Sequence, residues 1–352
     1  MSEIAQHEKA ACEGNAECRK VKLQNDKQEP KGQKEGREIG EVELLTGKQI
    51  LATRPLWGGI FSEDSAAFVD YYYRNKAENN VCFVIRNEAC IRAMLFLTPY
   101  ELCVRENQTA EAGEAPAKEP EKKGGEPPFL QRSAECGYRT YPTYYIVGVA
   151  TRAEYRHRGY MTRLLDTAFD YMRRQRVLFT FLMPANPAIY EPFGFRYIYE
   201  RENYRLRPDF LRSHPEVRVR MARETDGSLL ADFAMWQLTG RYGFFIKRDE
   251  AYYRLLCREL ASENGGIFLV YVGGELAGYY MYAREEEEFL QEVLFGKRWE
   301  PLLLGAEGLL VRKQERQPII MAKYLGDEEQ KDELLEALAC GKIPDGFVNE
   351  VV

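Results

Sequence analysis

The chain has 352 residues, enough for two or three domains. With 45% hydrophobic and 30% charged residues it has the balance of a soluble globular protein, and its formal net charge of −6 argues against general nucleic-acid binding, which needs a positive surface to displace counterions. No apolar run approaches the ~20 residues of a bilayer span, and the start, MSEIAQHEKAACEGNAECRK, lacks the apolar core of a secretory signal, so neither membrane insertion nor export is expected.

Residues 1–37 are rich in Lys, Glu and Gln and too poor in apolar side chains to offset the entropy of ordering, so they read as disordered. SEDSAAFVDYYYRN, 62–75, places Ala66, Val69 and Tyr73 on one side at helical spacing, widened by Phe68 and Tyr72. VCFVIR (81–86) and CIRAMLFL (90–97) read as a hairpin turning at Asn87–Glu88. The polar stretch 106–128, ENQTAEAGEAPAKEPEKKGGEPP, interrupts ordered sequence as a solvated loop insertion. PTYYIVGVAT (142–151) is a strong strand, and a helix runs from Gly159 to about Arg174 with Met161, Leu164, Leu165, Ala168 and Met172 as its apolar stripe. VLFTFLMP (177–184) is a buried strand; a short turn, ANPAIYEPFGF, leads to a last strand near 196–200. Together these make a mixed α/β sheet with helices on its faces.

A second unit starts near Val217: a strand (RVRMA), two helices (LLADFAMWQL and EAYYRLLCREL), and a hairpin over 267–283 turning at Gly273–Gly274. Its helix-then-hairpin order suggests an internal duplication, and its EEEE run (285–288) reads as a solvated face. From about Arg316 a strand (PIIMAKYL), a helix (EEQKDELLEALA) and the ending GFVNEVV are too few for their own core, and are expected to pack on the second unit.

None of the eight cysteines (Cys12, Cys18, Cys82, Cys90, Cys103, Cys136, Cys257, Cys340) forms a C-x-x-C pair, which suits reduced thiols in a cytoplasm. With three histidines in all, and no four-cysteine spacing, no metal site is expected.

The stretch RHRGYMTRLL (156–165) stacks positive charge where a helix begins. A helix start already carries partial positive charge, so stability alone would favour Asp or Glu there. The pattern asks for an anion: the first helical N–H groups lack intrahelical partners, Gly159 has no Cβ to hold a bulky group off the backbone, and His157 and Arg158 add donors. No G-K-S/T follows, so this is not a Walker A loop, and a single glycine makes no dinucleotide fingerprint. Taken alone, Arg152, Arg156, Arg158 and Arg163 also suit plain solvation of a surface turn; the strand before and the amphipathic helix after favour a ligand site.

V-G-V-A-T-x(4)-R-H-R-G-Y-M resembles motif A, Q/R-x-x-G-x-G/A, of the GNAT superfamily of acetyl-CoA-dependent N-acetyltransferases, with Met161 in place of the usual small last residue. PANPAIYEPFGF (184–195) resembles that superfamily's Y-x-x-x-G-F segment, and the whole, over about residues 40–325, is similar to the enhanced-intracellular-survival branch. The resemblance implies an α/β chain of two tandem GNAT-like mixed-sheet domains with a short C-terminal extension: a catalytic unit over 38–207, a degenerate unit over 208–315 without a coenzyme site, and 316–352 as a remnant of a sterol-carrier-like domain. It implies acetyl-CoA as cosubstrate, its pantetheine arm along Val149, Ala150 and Thr151, its pyrophosphate against His157, Arg158, Gly159, Tyr160, Met161 and Thr162, and contacts from Ala185 and Asn186.

The same resemblance makes Tyr190 the general acid and the carboxylate of Val352 the base, with water or Glu350 as other bases, and points to a homo-oligomer. The acetyl group would pass to a primary amine by direct attack in a ternary complex; the acidic balance suits a small cationic amine or a lysine side chain. Against it stands a non-catalytic acyl-CoA-binding or regulatory module on the same fold.

Overall fold

A computed structural model describes residues 40–87, 90–105, 137–282, 290–313, 316–339 and 346–349. The N-terminal segment 1–37 and the insertion 106–128 lie outside the described residues. Among those described, no helix is long and apolar enough to cross a membrane, and no cluster of three His, Cys, Asp or Glu is placed to hold a metal.

The first unit opens with β1 (Val42–Thr46), then helices α1 (Arg54–Ile60) and α2 (Ala66–Asn75). The second helix begins at Ala66, the first residue of its predicted apolar stripe, because Ser65 caps it, its hydroxyl accepting from the Phe68 N–H at 3.0 Å. The predicted hairpin is present as β2 (Val81–Arg86) and β3 (Ile91–Arg105), followed by β4 (Tyr138–Thr151), helix α3 (Tyr160–Arg174), β5 (Phe179–Leu182) and β6 (Arg196–Arg201). A two-stranded ribbon pairs β7 (Tyr204–Leu206) with a strand described below. The second unit holds β8 (Val217–Met221), α4 (Gly227–Arg241), β9 (Phe244–Ile246), α5 (Glu250–Ser262), and the hairpin β10 (Gly266–Val272) and β11 (Glu275–Tyr282), then β12 (Glu292–Phe295). Gly273 and Gly274, both at positive φ (59° and 86°), make its two-residue turn. The chain closes with β13 (Leu310–Arg312), which pairs β7, then β14 (Gln317–Tyr324), α6 (Glu333–Ala339) and β15 (Gly346–Phe347).

The large sheet has the order β1-β2-β3-β4-β5-β14-β6, with β9 on the lower half of β3 and β15 beside β9. The second unit's own sheet is four antiparallel strands, β12-β11-β10-β8. The tail therefore does not pack on the second unit alone, as its sequence position suggests. Its strand β14 lies between β5 and β6, pairing Met321 with Leu182 and Ala322 with Arg196, and α6 packs on it. The reason is unpaired backbone: β5 and β6 are not hydrogen-bonded to each other, and the buried Ile320, Met321 and Ala322 fill the space between them.

One face of the sheet packs on α3 through Leu95, Leu97, Ile146, Leu164, Leu165, Ala168 and Phe195. The opposite face packs on α1 and α2 through Trp57, Tyr72, Val84, Met94 and Phe96. In β4, Met94 faces Ala150 while Phe96 faces Val147, so the strand carries one extra residue. That bulge sits at Gly148, at φ 60°, where a Cβ would lie 2.7 Å from the Trp57 ring. Side-chain alternation shifts there: Tyr144 and Ile146 pack toward α3 before the bulge, and Val149 does so after it.

Candidate cofactor-binding and active site

After β4 the chain turns sharply. Arg152 and Arg156 build the turn: Arg152 Nε donates to the Ile91 carbonyl at 2.8 Å, and Arg156 Nε to the Thr151 carbonyl at 3.1 Å. His157 adopts a left-handed φ of 59° and Gly159 one of 83°. Gly159 is the N-cap of α3 and offers no side chain to the helix's first N–H groups, and the first turn holds no acidic residue. His157, Arg158 and Thr162 are exposed at this end, Arg158 lying 5.7 Å from the Tyr155 ring centroid. Of the four arginines, two thus hold the turn and Arg158 and Arg163 face outward.

Arg92 adds a cation that the sequence reading missed. Its guanidinium stacks 4.8 Å from the Tyr155 ring and donates to the Tyr160 hydroxyl at 3.1 Å, while its buried Nε has no hydrogen-bond partner among the described residues. An arginine inside the apolar run IRAMLFL was the available signal. The open helix start, a glycine without Cβ, and an unclaimed buried N–H fit a pyrophosphate.

Next to the turn, β4 and β5 part. They run parallel and pair only through Thr143–Tyr145 with Phe179–Phe181. Beyond Tyr145 the β5-facing edge of β4 has no strand partner among the described residues, and Val149, Ala150 and Thr151 lie on that stretch, just past the bulge. A free edge offers alternating N–H and C=O groups to an extended amide chain. Ala185 and Asn186 follow β5 and are exposed; the Asn186 side chain accepts from the Ala188 N–H at 3.0 Å and shapes the next turn.

Tyr190 sits between two short 3-10 turns, Pro187–Ile189 and Glu191–Phe193. Its ring meets Phe195 edge-on at 5.9 Å and packs on the same apolar cluster as Val149, Tyr155, Tyr160 and Met161. Met161, the departure from the motif, is half-buried against that core. Burial pushes the Tyr190 hydroxyl up to about 12. Gly194 closes the turn at φ 86°, and Lys323 Nζ, from β14, donates to the Phe193 carbonyl at 2.6 Å. Nothing local in the sequence links Lys323 to this turn. Val352 and Glu350 lie outside the described residues; Asn349, the last described, donates to the Gln291 carbonyl at 2.6 Å.

Residues 129–198 match the family model described as an acetyltransferase (GNAT) domain. This match places a GNAT-type domain within the chain. The matched stretch holds the bulge, the basic turn, α3, β5 and the Tyr190 turn, so the GNAT match and the geometry fall on the same residues. The fold extends further. A conserved protein of unknown function from Enterococcus faecalis, described as a probable N-acyltransferase, superposes with a TM-score of 0.56 at 14% identity, over 81% of this chain and 72% of that one. A GCN5-related N-acetyltransferase from Kribbella flavida gives 0.54 at 14% identity over 81% and 71%. Eis1 from Mycobacterium abscessus gives 0.52 at 9% identity over 81% and 74%. At such identities the likeness is one of fold. No curated protein matches the chain in sequence.

Proposed function

We propose that the GNAT domain moves an acetyl group from acetyl-CoA to a primary amine by direct attack in a ternary complex. The observation that carries this reading is the parting of β4 and β5 beside an uncapped, glycine-started helix. Bound acetyl-CoA supplies a thioester, an acyl group with a good leaving group. The α3 N–H groups, with Arg158 and Arg92 near them, hold the pyrophosphate; the backbone of Val149, Ala150 and Thr151 pairs with the pantetheine amides; Ala185 and Asn186 flank the arm.

Tyr190 keeps its proton at neutral pH, because burial disfavours the phenolate, and so can donate to a departing thiolate, whose ordinary pKa is roughly 8.5. The amine must be neutral to attack, and at an ordinary pKa of roughly 10.4 it needs a base. The net charge of −6 favours a cationic acceptor, a small amine or a lysine side chain.

The test is calorimetric titration with acetyl-CoA of the wild type and of Gly159→Glu, followed by free-thiol release with a panel of amines. Micromolar binding that the variant loses supports the reading. A folded wild type that binds no acetyl-CoA would overturn it.

A further inference from the structure

The strand β3 is covered on its outer edge by β2 as far as Leu97 and by β9 from Leu102 onward. Thr98–Tyr100 therefore lie in a gap, and a cavity of about 380 Å³ opens there between the first unit and α5. This is within the size range of small-molecule sites. None of its lining residues belongs to the cluster carrying Val149, Met161 and Tyr190.

Two buried polar atoms on its wall have no hydrogen-bond partner among the described residues: Thr98 Oγ1 and Asn349 Oδ1, in residues only 9% and 7% exposed. The Asn349 amide nitrogen is already spent on the Gln291 carbonyl and Glu292, so its oxygen awaits a donor. The charged lining is acidic in excess. Glu259 pairs with Lys76, Glu101 with Lys247 at 2.8 Å, and Glu292 with the buried Arg248 at 2.5 Å; Asp249 caps α5, accepting from the Tyr252 N–H at 2.8 Å, and has no ion pair among the described residues. Tyr252, Leu255, Leu256 and Met281 supply an apolar wall.

We infer that this cavity is a second binding site, for a small monocation whose ammonium group rides on an apolar body. A donor is needed for Asn349 Oδ1, a positive charge suits the acidic excess of the lining, and the apolar wall takes the rest. The inference does not depend on acetyl transfer, because binding is read without acetyl-CoA.

The probe is phenethylamine, titrated calorimetrically into the full chain, with 2-phenylethanol and phenylacetate as neutral and anionic controls. Saturable binding of phenethylamine, ahead of 2-phenylethanol and with none for phenylacetate, is expected. Thr98→Val, which keeps the shape and removes the orphaned hydroxyl, should weaken binding about three- to tenfold without lowering the melting temperature. Ala251→Trp, on the exposed first turn of α5, should block the cavity and abolish binding while acetyl-CoA affinity is retained. No saturable binding to the wild type, equal binding of phenylacetate, or unaltered binding in Ala251→Trp would each overturn the site. With acetyl-CoA added, mass spectrometry separates the two sources of such a ligand: an acetylated probe marks an acceptor, an unchanged probe an effector, and either keeps the site.

Discussion

Tyr190 shows how burial sets chemistry at a single residue. Its hydroxyl, pushed up to about 12, is neutral throughout the range in which an acceptor amine loses its proton. Activity should therefore rise with pH as the amine deprotonates, with no alkaline fall below about pH 10 from Tyr190; a pH–rate profile checks this. Tyr190→Phe keeps the edge-on contact with Phe195 and removes only the proton, so turnover should drop about a hundredfold with acetyl-CoA affinity unchanged. Loss of affinity in parallel would make Tyr190 structural. The Lys323 ammonium, lowered by burial and then by Arg173 nearby, braces the adjacent turn. Lys323→Met should reduce turnover several-fold while coenzyme binding persists, read as a change in kcat at constant Kd. At this scale RHRGYM and the tyrosine turn are legible because their chemistry sits in one local run. Arg92 and Lys323 are not, because they lie 68 residues before Tyr160 and 130 residues after Phe193, their hydrogen-bond partners.

Among the elements, β4 is the decisive one. Gly148 permits the bulge, and the bulge turns Val149–Thr151 past the point where pairing with β5 ends. Gly148→Ala adds a methyl between Trp57 and Phe96 at a φ that alanine disfavours, and should cost on the order of 1–3 kcal/mol. Denaturant titration measures the loss, and acetyl-CoA affinity should fall with it. A glycine inside a strand was a readable sign of such a bulge. Amphipathic α3 was legible almost to the residue, since one face is buried throughout. The ends of other elements were not. Apolar composition ran 177–184 as a strand, whereas β5 spans only Phe179–Leu182, and the last helix begins at Glu333 after a separate turn capped by Asp327. Apolar runs mark burial, while capping and pairing set the ends.

For the molecule as a whole, the two units are laced together. The second unit lends β9 to the large sheet, and the tail lends β14 and β15. Strand partners depend on contacts more than a hundred residues apart, which periodicity does not encode. Ending the chain after residue 316 would leave β5 and β6 with bare edges and remove the buried Ile320, Met321 and Ala322. Such a truncation should lose near-ultraviolet circular dichroism and aggregate, and residues 316–352 supplied as a peptide should restore part of the signal. A monomeric, fully folded truncation would show that β14 is dispensable.

The late arrival of β14 also bears on how the protein is made. On the ribosome, the basic turn and the Tyr190 turn emerge early, but the strand that completes their sheet follows only after the entire second unit, on the order of ten seconds later at ordinary synthesis rates. A nascent chain in that interval holds the basic turn and the Tyr190 turn with a sheet still open between β5 and β6, so any activity they support would wait until the second unit and β14 have been made.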